Sequence, residues 1–577
     1  MQQFKHFLDA INGVLWHDFV LYALLGVGVL FTLWTGFGQY RALTHGAAVV
    51  RGKYDDKNDP GAINHFQALS TALSATVGLG NIAGVAIAIS VGGPGAVFWM
   101  WVTGLVGMCL KMTEVTQAMM FRNTDDPDNP SGGAMWVCKK GFAKISPGLA
   151  PLGIVLGGIF CLTLVISTVT GGNMFQAWNV ADIGFTYFHI PKIVTGIVMA
   201  LGVAIVILGG IKRIGDVAGR IVPFMCGLYL LAGLYVIVVN LGEIPSLFGL
   251  IFKEAFAPSE ASGAFIGGVA GYGFMKGMQR ALFSNEAGQG SAPIAHSAAK
   301  TDEPVREGVV AGLEPFIDTI CVCTITALVI LLSGTWNRAP ALEFANGQPA
   351  VTQTSDEVWQ FAPTRVTLKD ELEGKGQMKE GSEVLLVVDA GKNGDTKMNR
   401  HKIDGRLTGS EADGWTAEWE PLTTDQQPKI AENGVYFNFN GATLTAKAYD
   451  RVLPGLGYWV VPATAFLFAF STMISWSYYG EQGLVYLFGK KSVIPYRLIY
   501  CAAILISATP FINATTIEDI SVLGTGVMLW ANIPIMLIFG PMAMREYHAY
   551  MKRLKSGQMT GHKPASFVDV VEGKDVE

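Results

Sequence analysis

What most limits the fold of this chain is a repeated length. About eleven stretches each run close to the 20 mainly apolar residues that a helix needs to cross a bilayer. They are 18–37, 67–91, 94–118, 151–177, 193–211, 220–241, 263–288, 308–333, 457–485, 495–512 and 519–542. A chain built this way is expected to be an all-α polytopic membrane protein, because a helix satisfies its own backbone groups where no water can. Only 15% of the 577 residues are charged, against about a quarter in soluble proteins. The 69 glycines suit close helix packing in lipid. A net charge of −5 gives no footing for a nucleic-acid partner. The first stretch is too long for a secretory signal, has only Lys5 ahead of it, and lacks a small-residue cleavage site. Most of the cysteines (Cys109, Cys138, Cys161, Cys226, Cys321, Cys323 and Cys501) lie in apolar stretches and read as small hydrophobes, with no CxxC pair among them.

Basic residues orient the stretches. Arg41, Arg51, Lys53 and Lys57 follow the first, and Arg122, Lys139, Lys140 and Lys144 the third. Lys212, Arg213 and Arg220 follow the fifth, Lys300 and Arg306 the seventh, and Lys490, Lys491 and Arg497 the ninth. Arg545, Lys552, Arg553 and Lys555 follow the last. They fall on alternate loops, so that side is expected to be cytoplasmic, in a cell inner membrane, with the N-terminus outside and the C-terminus inside.

Residues 335–452 break the pattern. They are polar, with strand-like runs at Glu383–Val388 and Tyr436–Asn440 and Asn-Gly turn signals at 346–347, 393–394 and 433–434. This predicts a small β-rich insert on the extracytoplasmic side, free of cysteine. The membrane domain is then 1–334 plus 453–545, with 546–577 a cytoplasmic tail.

Two of the apolar stretches are interrupted. The second reads STALSATVGLGNIAGVAIAISVGGPG, with Gly78 and Gly80 flanked by Ser74, Thr76 and Asn81. The seventh is helix-like to about Phe283. It then turns polar and glycine-rich at Ser284–Ser291, and a new helix can begin near Pro293. Glycine beside polar side chains marks unwound backbone, which is tolerated at membrane depth only inside protein or beside a cavity. Freed carbonyls can hold a hard cation, and the N-terminus of a half-helix attracts a carboxylate. The second stretch opens a run of five and the seventh opens the next five. Breaks in matching positions of two halves point to a transporter site.

These residues carry a resemblance. TVGLGNIAG resembles the first broken helix of the leucine-transporter fold. RALFSNEAGQGSAPIAH (Arg280–His296) resembles the hallmark of the alanine/glycine:cation symporter family, as do Glu314–Thr319, Phe470–Thr472 and Trp476–Glu481. It covers about 15–335 and 455–545 and leaves out the insert. It implies two inverted five-helix repeats with broken first helices, and a secondary active symporter. Such a protein couples sodium influx to uptake of a small neutral amino acid, alanine or glycine first, by alternating access. Sodium, rather than a proton, is the expected co-transported ion.

The candidate sodium ligands are Ser74, Thr76, Val77, Asn81, Asp318, Ser471 and Thr472. The match to related transporters suggests Asn81 for one site and the Ser471–Thr472 pair for a second. Candidate substrate-binding residues are Thr76, Gly78, Gly80, Asn81, Phe283, Asn285, Gly288, Gly290 and Trp476, the two aromatics walling a small pocket. Glu286, Glu314 and Asp318 are acids within membrane segments and therefore functional candidates. Glu286 can alternatively pair with Arg280 or Lys276, and Asp318 can alternatively hydrogen-bond the broken helix. Lys111 and Glu114 suit gate or interface contacts, and His296 reads as a satisfied helix residue. An enzyme is not indicated, since no GxSxG-like context or HExxH helix is present. The alternative reading is an amino-acid sensor or receptor that binds its ligand with the insert.

The orientation is open to test. Cysteines introduced into 335–452 are expected to react with an impermeant thiol reagent in cells with a permeabilised outer membrane. Labelling of Cys138 but not of the insert overturns the topology.

Overall fold

A computed structural model describes residues 2–56, 58–370, 377–394, 396–439, 441–559, 561 and 567–571. Lys57 and Asn440, named above, lie outside the described residues, as does part of the tail. Among the described residues, six helices are long and apolar enough to cross a membrane: Gly95–Phe121, Pro147–Phe188, Gly210–Val239, Pro304–Leu332, Leu456–Phe488 and Ala514–Lys555. Two bent pairs pass the same test jointly. Asp18–Trp34 meets Gly38–Val50 at 64°, and His65–Thr76 meets Gly80–Gly92 at 51°. Three further helices, Lys192–Ile207, Ala270–Asn285 and Val493–Ser507, are shorter, with 16, 16 and 15 residues.

The apolar surface faces outward, as lipid requires. On Lys192–Ile207 the exposed residues include Ile197, Val198, Leu201 and Ile205, while Gly196, Met199, Ala200 and Val203 are buried. Small residues set the closest approaches. A Cβ on Gly277 would lie 2.4 Å from the Ala96 carbonyl oxygen, and one on Gly308 would lie 2.1 Å from Thr116 Oγ1. Gly95–Phe121 therefore packs backbone-close against both Ala270–Asn285 and Pro304–Ala311.

The seventh apolar stretch starts later than its hydropathy suggests. Residues 258–269 form a loop with bridges Ser259–Gly268 and Ser262–Phe265, and the helix begins at Ala270. Gly263 and Gly267 take φ of +54° and +77°, which turn the chain out of a helix before it can start.

Loops rich in basic residues converge on one face. Arg122 donates to the carbonyls of Ser297 (3.0 Å), Ala299 (2.8 Å) and Pro60 (3.1 Å). The Lys300 amide bonds the Ile63 carbonyl at 2.8 Å, and Arg553 pairs with Glu303 at 2.7 Å.

At the other end of the helices stand two antiparallel sheets. In the larger, Leu342–Phe344, Thr364–Leu368, Gly414–Trp419, Arg400–Ser410, Glu383–Asp389 and Tyr436–Phe437 follow in that spatial order. Lys429–Ile430 also pairs with Glu383–Asp389. Val351–Ser355, Val358–Phe361 and Leu422–Thr423 form the smaller. Val384 to Val388 are all buried, which makes this run the centre of the sheet core. The sheets rest on the near ends of both broken helices. Lys402 Nζ donates to the Ser90 carbonyl at 3.3 Å, and the Val269 amide donates to Thr396 at 3.2 Å.

The strands end at Phe437, short of the 452 boundary drawn from composition. Residues Gly441–Val452 form a helix that packs on the membrane helices. Thr445 Oγ1 donates to the Ile82 carbonyl at 3.0 Å, and the buried Tyr449 ring lies 6.0 Å from that of Tyr229. This helix looks polar because Lys447, Asp450 and Arg451 share it with a buried face of Ala442, Leu444, Ala446, Ala448 and Tyr449.

That boundary predicts two outcomes. Replacing 342–437 with a short Gly/Ser linker should leave a folded, monodisperse protein in detergent, since Arg338 and Phe439 already stack at 4.8 Å. Extending the excision through Val452 should lower the Tm sharply by uncovering Tyr229 and the Ile82 carbonyl. Equal Tm values for the two excisions contradict this division.

Candidate functional site

The first break follows from its caps and glycines. Asn64 Oδ1 accepts the Gln67 amide at 2.8 Å and starts the helix His65–Thr76. Regular helix stops at Thr76, and the chain re-forms as a π-helical turn at Gly80–Gly84 before Val85–Gly92. A Cβ on Gly78 would sit 2.4 Å from Thr472 Oγ1, and one on Gly80 would sit 3.3 Å from the Ser284 Cα. The freed amides find side chains: Gly78 donates to Asn81 Oδ1 at 2.9 Å, and Leu79 to Gln176 Oε1 at 3.0 Å.

The second break is also fastened by named partners. Helix Ala270–Asn285 ends on Glu286 in the left-handed region at φ 56°, and Gly288 and Gly290 follow at 83° and 79°. The short helix Ala292–His296 then starts with Pro293 in its first turn. The Gly290 amide donates to Glu114 Oε2 at 3.1 Å, and Asn532 Nδ2 donates to the Gly288 carbonyl at 2.9 Å.

Asp318 joins the two breaks. It sits in a π-helical stretch, Phe316–Cys323, and is fully buried. Its carboxylate accepts from Asn81 Nδ2 at 2.5 Å, from Ser284 Oγ at 2.9 Å and from Thr319 Oγ1 at 2.8 Å. Asn81 is thus a brace, with its oxygen on Gly78 and its nitrogen on Asp318.

Ser471 and Thr472 behave differently. Ser471 Oγ bonds back to the Phe468 carbonyl at 2.9 Å and reaches that of Ser74 at 3.4 Å, while Ser74 Oγ donates to the Ser471 carbonyl at 2.7 Å. Thr472 Oγ1 is buried with no hydrogen-bond partner. It lies against Gly78, as a buried polar oxygen left unmet inside the protein.

A cavity of about 10 Å³ opens between the breaks, room for roughly one water molecule. Thr76 and Gly80 line it from the first break and Phe283, Glu286 and Gln289 from the second, with Trp476 across from them. The Trp476 ring lies on Gly172, where a Cβ would be 2.4 Å from the ring, and its Nε1 donates to Glu286 Oε1 at 3.0 Å. Phe283 meets Phe175 edge-on at 4.9 Å. Asn285, Gly288 and Gly290 do not line the cavity. Asn285 bonds Thr319 Oγ1 at 3.0 Å and the Ala287 amide at 3.0 Å, while Gly288 and Gly290 let Ile533 and Asn532 approach the loop. Gly78 abuts Thr472 and Gln176 instead.

A chain of buried charges lies toward the basic face. Lys111 Nζ is 3.2 Å from Glu314 and 3.9 Å from Glu114. His296 spans Glu314 at 2.7 Å and Glu307 at 2.5 Å, and His65 also bonds Glu307. The chain ties the basic-face ends of both broken helices to Gly95–Phe121 and Pro304–Ala311. Arg280 pairs with Glu518, not with Glu286. That pairing was invisible in sequence because 238 residues separate the partners. Gln176, Gln289, Ser167 and Thr525 join the site unforeseen. A signal existed for two of them: Ser167, Thr170, Asn173 and Gln176 recur at helical spacing within an apolar run.

The sequence matches the sodium:alanine symporter family over residues 1–367 and 429–564. The sodium/alanine symporter AgcS of Methanococcus maripaludis is 34% identical over 547 residues, covering 95% of this chain and 97% of that protein. An uncharacterized transporter of Haemophilus influenzae is 32% identical over 551 residues, covering 95% and 96%. Among solved structures, MhsT in complex with L-phenylalanine covers 83% of this chain and 89% of its own at 12% identity, with a TM-score of 0.47.

The contact between Gly78 and Thr472 can be measured on its own. Gly78→Ala forces a methyl group against the threonine and should destabilise by about 1–3 kcal/mol. Thr472→Ala removes the obstructing hydroxyl and should relieve part of that loss. Strictly additive effects in a thermal-unfolding double-mutant cycle are incompatible with the contact.

Proposed function

The chain belongs to the sodium:alanine symporter family, and from that we propose that it couples inward sodium flow to uptake of a small neutral amino acid, alanine or glycine first, by alternating access. One observation carries this reading: two unwound, glycine-bearing helices meet at a small cavity, with Asp318 bridging them and Thr472 Oγ1 unpartnered against Gly78 of the first break.

In this reading Na+ takes oxygens from Ser74, Thr76, Val77, Asn81, Asp318, Ser471 and Thr472. The Thr472 hydroxyl is the readiest of these. Asn81 must release the Gly78 amide before its oxygen can turn to an ion. The amino acid lies between Thr76, Gly80, Phe283 and Trp476, its carboxylate meeting backbone amides freed at the breaks. A Na+ that shares a substrate carboxylate oxygen links the two bindings, and each then raises the affinity for the other by the same factor. Tight aromatic walls restrict the side chain to a hydrogen or a methyl. The two runs of five helices form inverted repeats, with Asp18–Trp34 outside them. The basic face is cytoplasmic, the sheets are extracytoplasmic, and 546–577 is a cytoplasmic tail.

The test is substrate binding to purified protein across a Na+ titration, with potassium holding ionic strength. Asn81→Ala and Thr472→Ala should each raise the Na+ concentration for half-saturation about tenfold, the loss of roughly one ion ligand at 1.4 kcal/mol. Trp476→Ala should admit larger amino acids at unchanged Na+ dependence. Binding by the parent protein that ignores Na+ refutes the symport reading.

A further inference from the structure

Buried carboxylates in this protein fall into two groups. Glu307, Glu314 and Glu114 each lie within 3.9 Å of a histidine or lysine. Asp318 and Glu286 have no cationic side chain within ion-pair distance among the described residues; their partners are neutral donors. A buried anion without a close counter-charge is costly, Lys111 acts on both acids only from beyond pairing distance, and a cation bound beside either one would lower that cost.

The two surroundings differ. Asp318 is ringed by side-chain hydroxyls and an amide. Glu286 has a hydroxyl on one oxygen, Ser291 at 2.5 Å, and an indole N–H on the other, Trp476 at 3.0 Å. Phe283 and Trp476 share the cavity wall with it, and Thr76, Ser167, Gln176, Gln289 and Thr525 supply the polar part of that wall. The two groups that meet the carboxylate bring only one further oxygen, the Ser291 hydroxyl, whereas Na+ wants several at close range. An ammonium suits it, since it needs only a few acceptors and tolerates aromatic neighbours. Glu286 is also held in place at a backbone cost. Its φ of 56° is left-handed without being a glycine, and its amide closes the helix on the Leu282 carbonyl at 3.0 Å.

We propose that Glu286 is the counter-charge for the α-ammonium of the transported amino acid and so restricts the site to substrates with a free amino group. Trp476 and Ser291 then act as positioning residues that hold the carboxylate toward the cavity. This rests on the symport reading above, and it assigns the two unpaired carboxylates to two different cations: Na+ at Asp318, the substrate at Glu286.

The experiment uses the full-length protein in detergent, with alanine and glycine binding measured at saturating Na+ and Na+ binding read separately as an amino-acid-free, Na+-dependent shift in Tm. Glu286→Gln keeps the volume and one acceptor oxygen for the Trp476 N–H, turns the other position into a donor that the Ser291 hydroxyl can accept, and removes the charge. It should weaken alanine and glycine binding about 100-fold, the scale of removing one partner of a buried charge pair, and leave the Na+-dependent Tm shift within about 1 °C of the parent. Glu286→Asp keeps the charge one methylene further back and should lose about tenfold. Amino-acid affinity within threefold of the parent in either variant overturns the proposal. Loss of the Na+ shift in Glu286→Gln also overturns it, by making Glu286 an ion ligand. A parent that binds alanine indifferently to Na+ removes the symport reading alone, and the comparison of variants still decides the role of Glu286.

Discussion

The carboxylate of Asp318 is the point on which the membrane part of this protein turns. Two unwound segments at membrane depth leave amides and carbonyls that lipid cannot satisfy, and protein must meet them instead. Asp318 does so indirectly. By accepting from Asn81 it fixes the side chain whose oxygen caps the Gly78 amide, and by accepting from Ser284 it fixes the end of the second helix. One acid on a third helix thereby sets the distance between the breaks. The cavity, the unmet Thr472 hydroxyl and the place of Phe283 against Gly80 follow from that distance.

The buried ion network plays the complementary part toward the basic face. Lys111, His296 and His65 alternate with Glu314 and Glu307, with Glu114 also beside Lys111, so that four helix segments share one buried polar network. The breaks are thus held by hydrogen bonds near the cavity and by the charged network toward the basic face. A helix interrupted in the middle and clamped at one end gives a junction where small displacements can be concentrated.

Much of this was legible in the residues themselves, and the reasons are particular. Gly78, Gly80 and the run Ser284–Ser291 stand out because glycine and polar side chains are conspicuous in apolar stretches. Asn81, Asp318, Phe283 and Trp476 could be singled out for the same reason. Their partnerships could not. Asn81 was read as an ion ligand, yet in the fold its two polar atoms are engaged by Gly78 and Asp318, contacts that depend on the bend between helices. Gln176 and Thr525 escaped notice because their neighbours at the site come from distant parts of the chain. Helix Gly441–Val452 was read as part of the polar insert because composition averages over its two faces. The late start at Ala270 was missed because hydropathy does not register the backbone angles of Gly263 and Gly267.

Two of the turns that line the cavity, at Gly80–Gly84 and Thr170–Met174, are wound as π-helix, as is Phe316–Cys323, which carries Asp318. Each amounts to an extra residue inserted into an otherwise regular coil, much as a dislocation sits in a crystal lattice. A dislocation can glide: the surplus residue passes from one turn to the next by exchanging hydrogen bonds, without the helix melting. As it glides, the side chains it passes rotate by part of a turn about the helix axis. Such a defect in the wall of a cavity allows a different set of side chains to be turned inward while the helix that carries it stays whole.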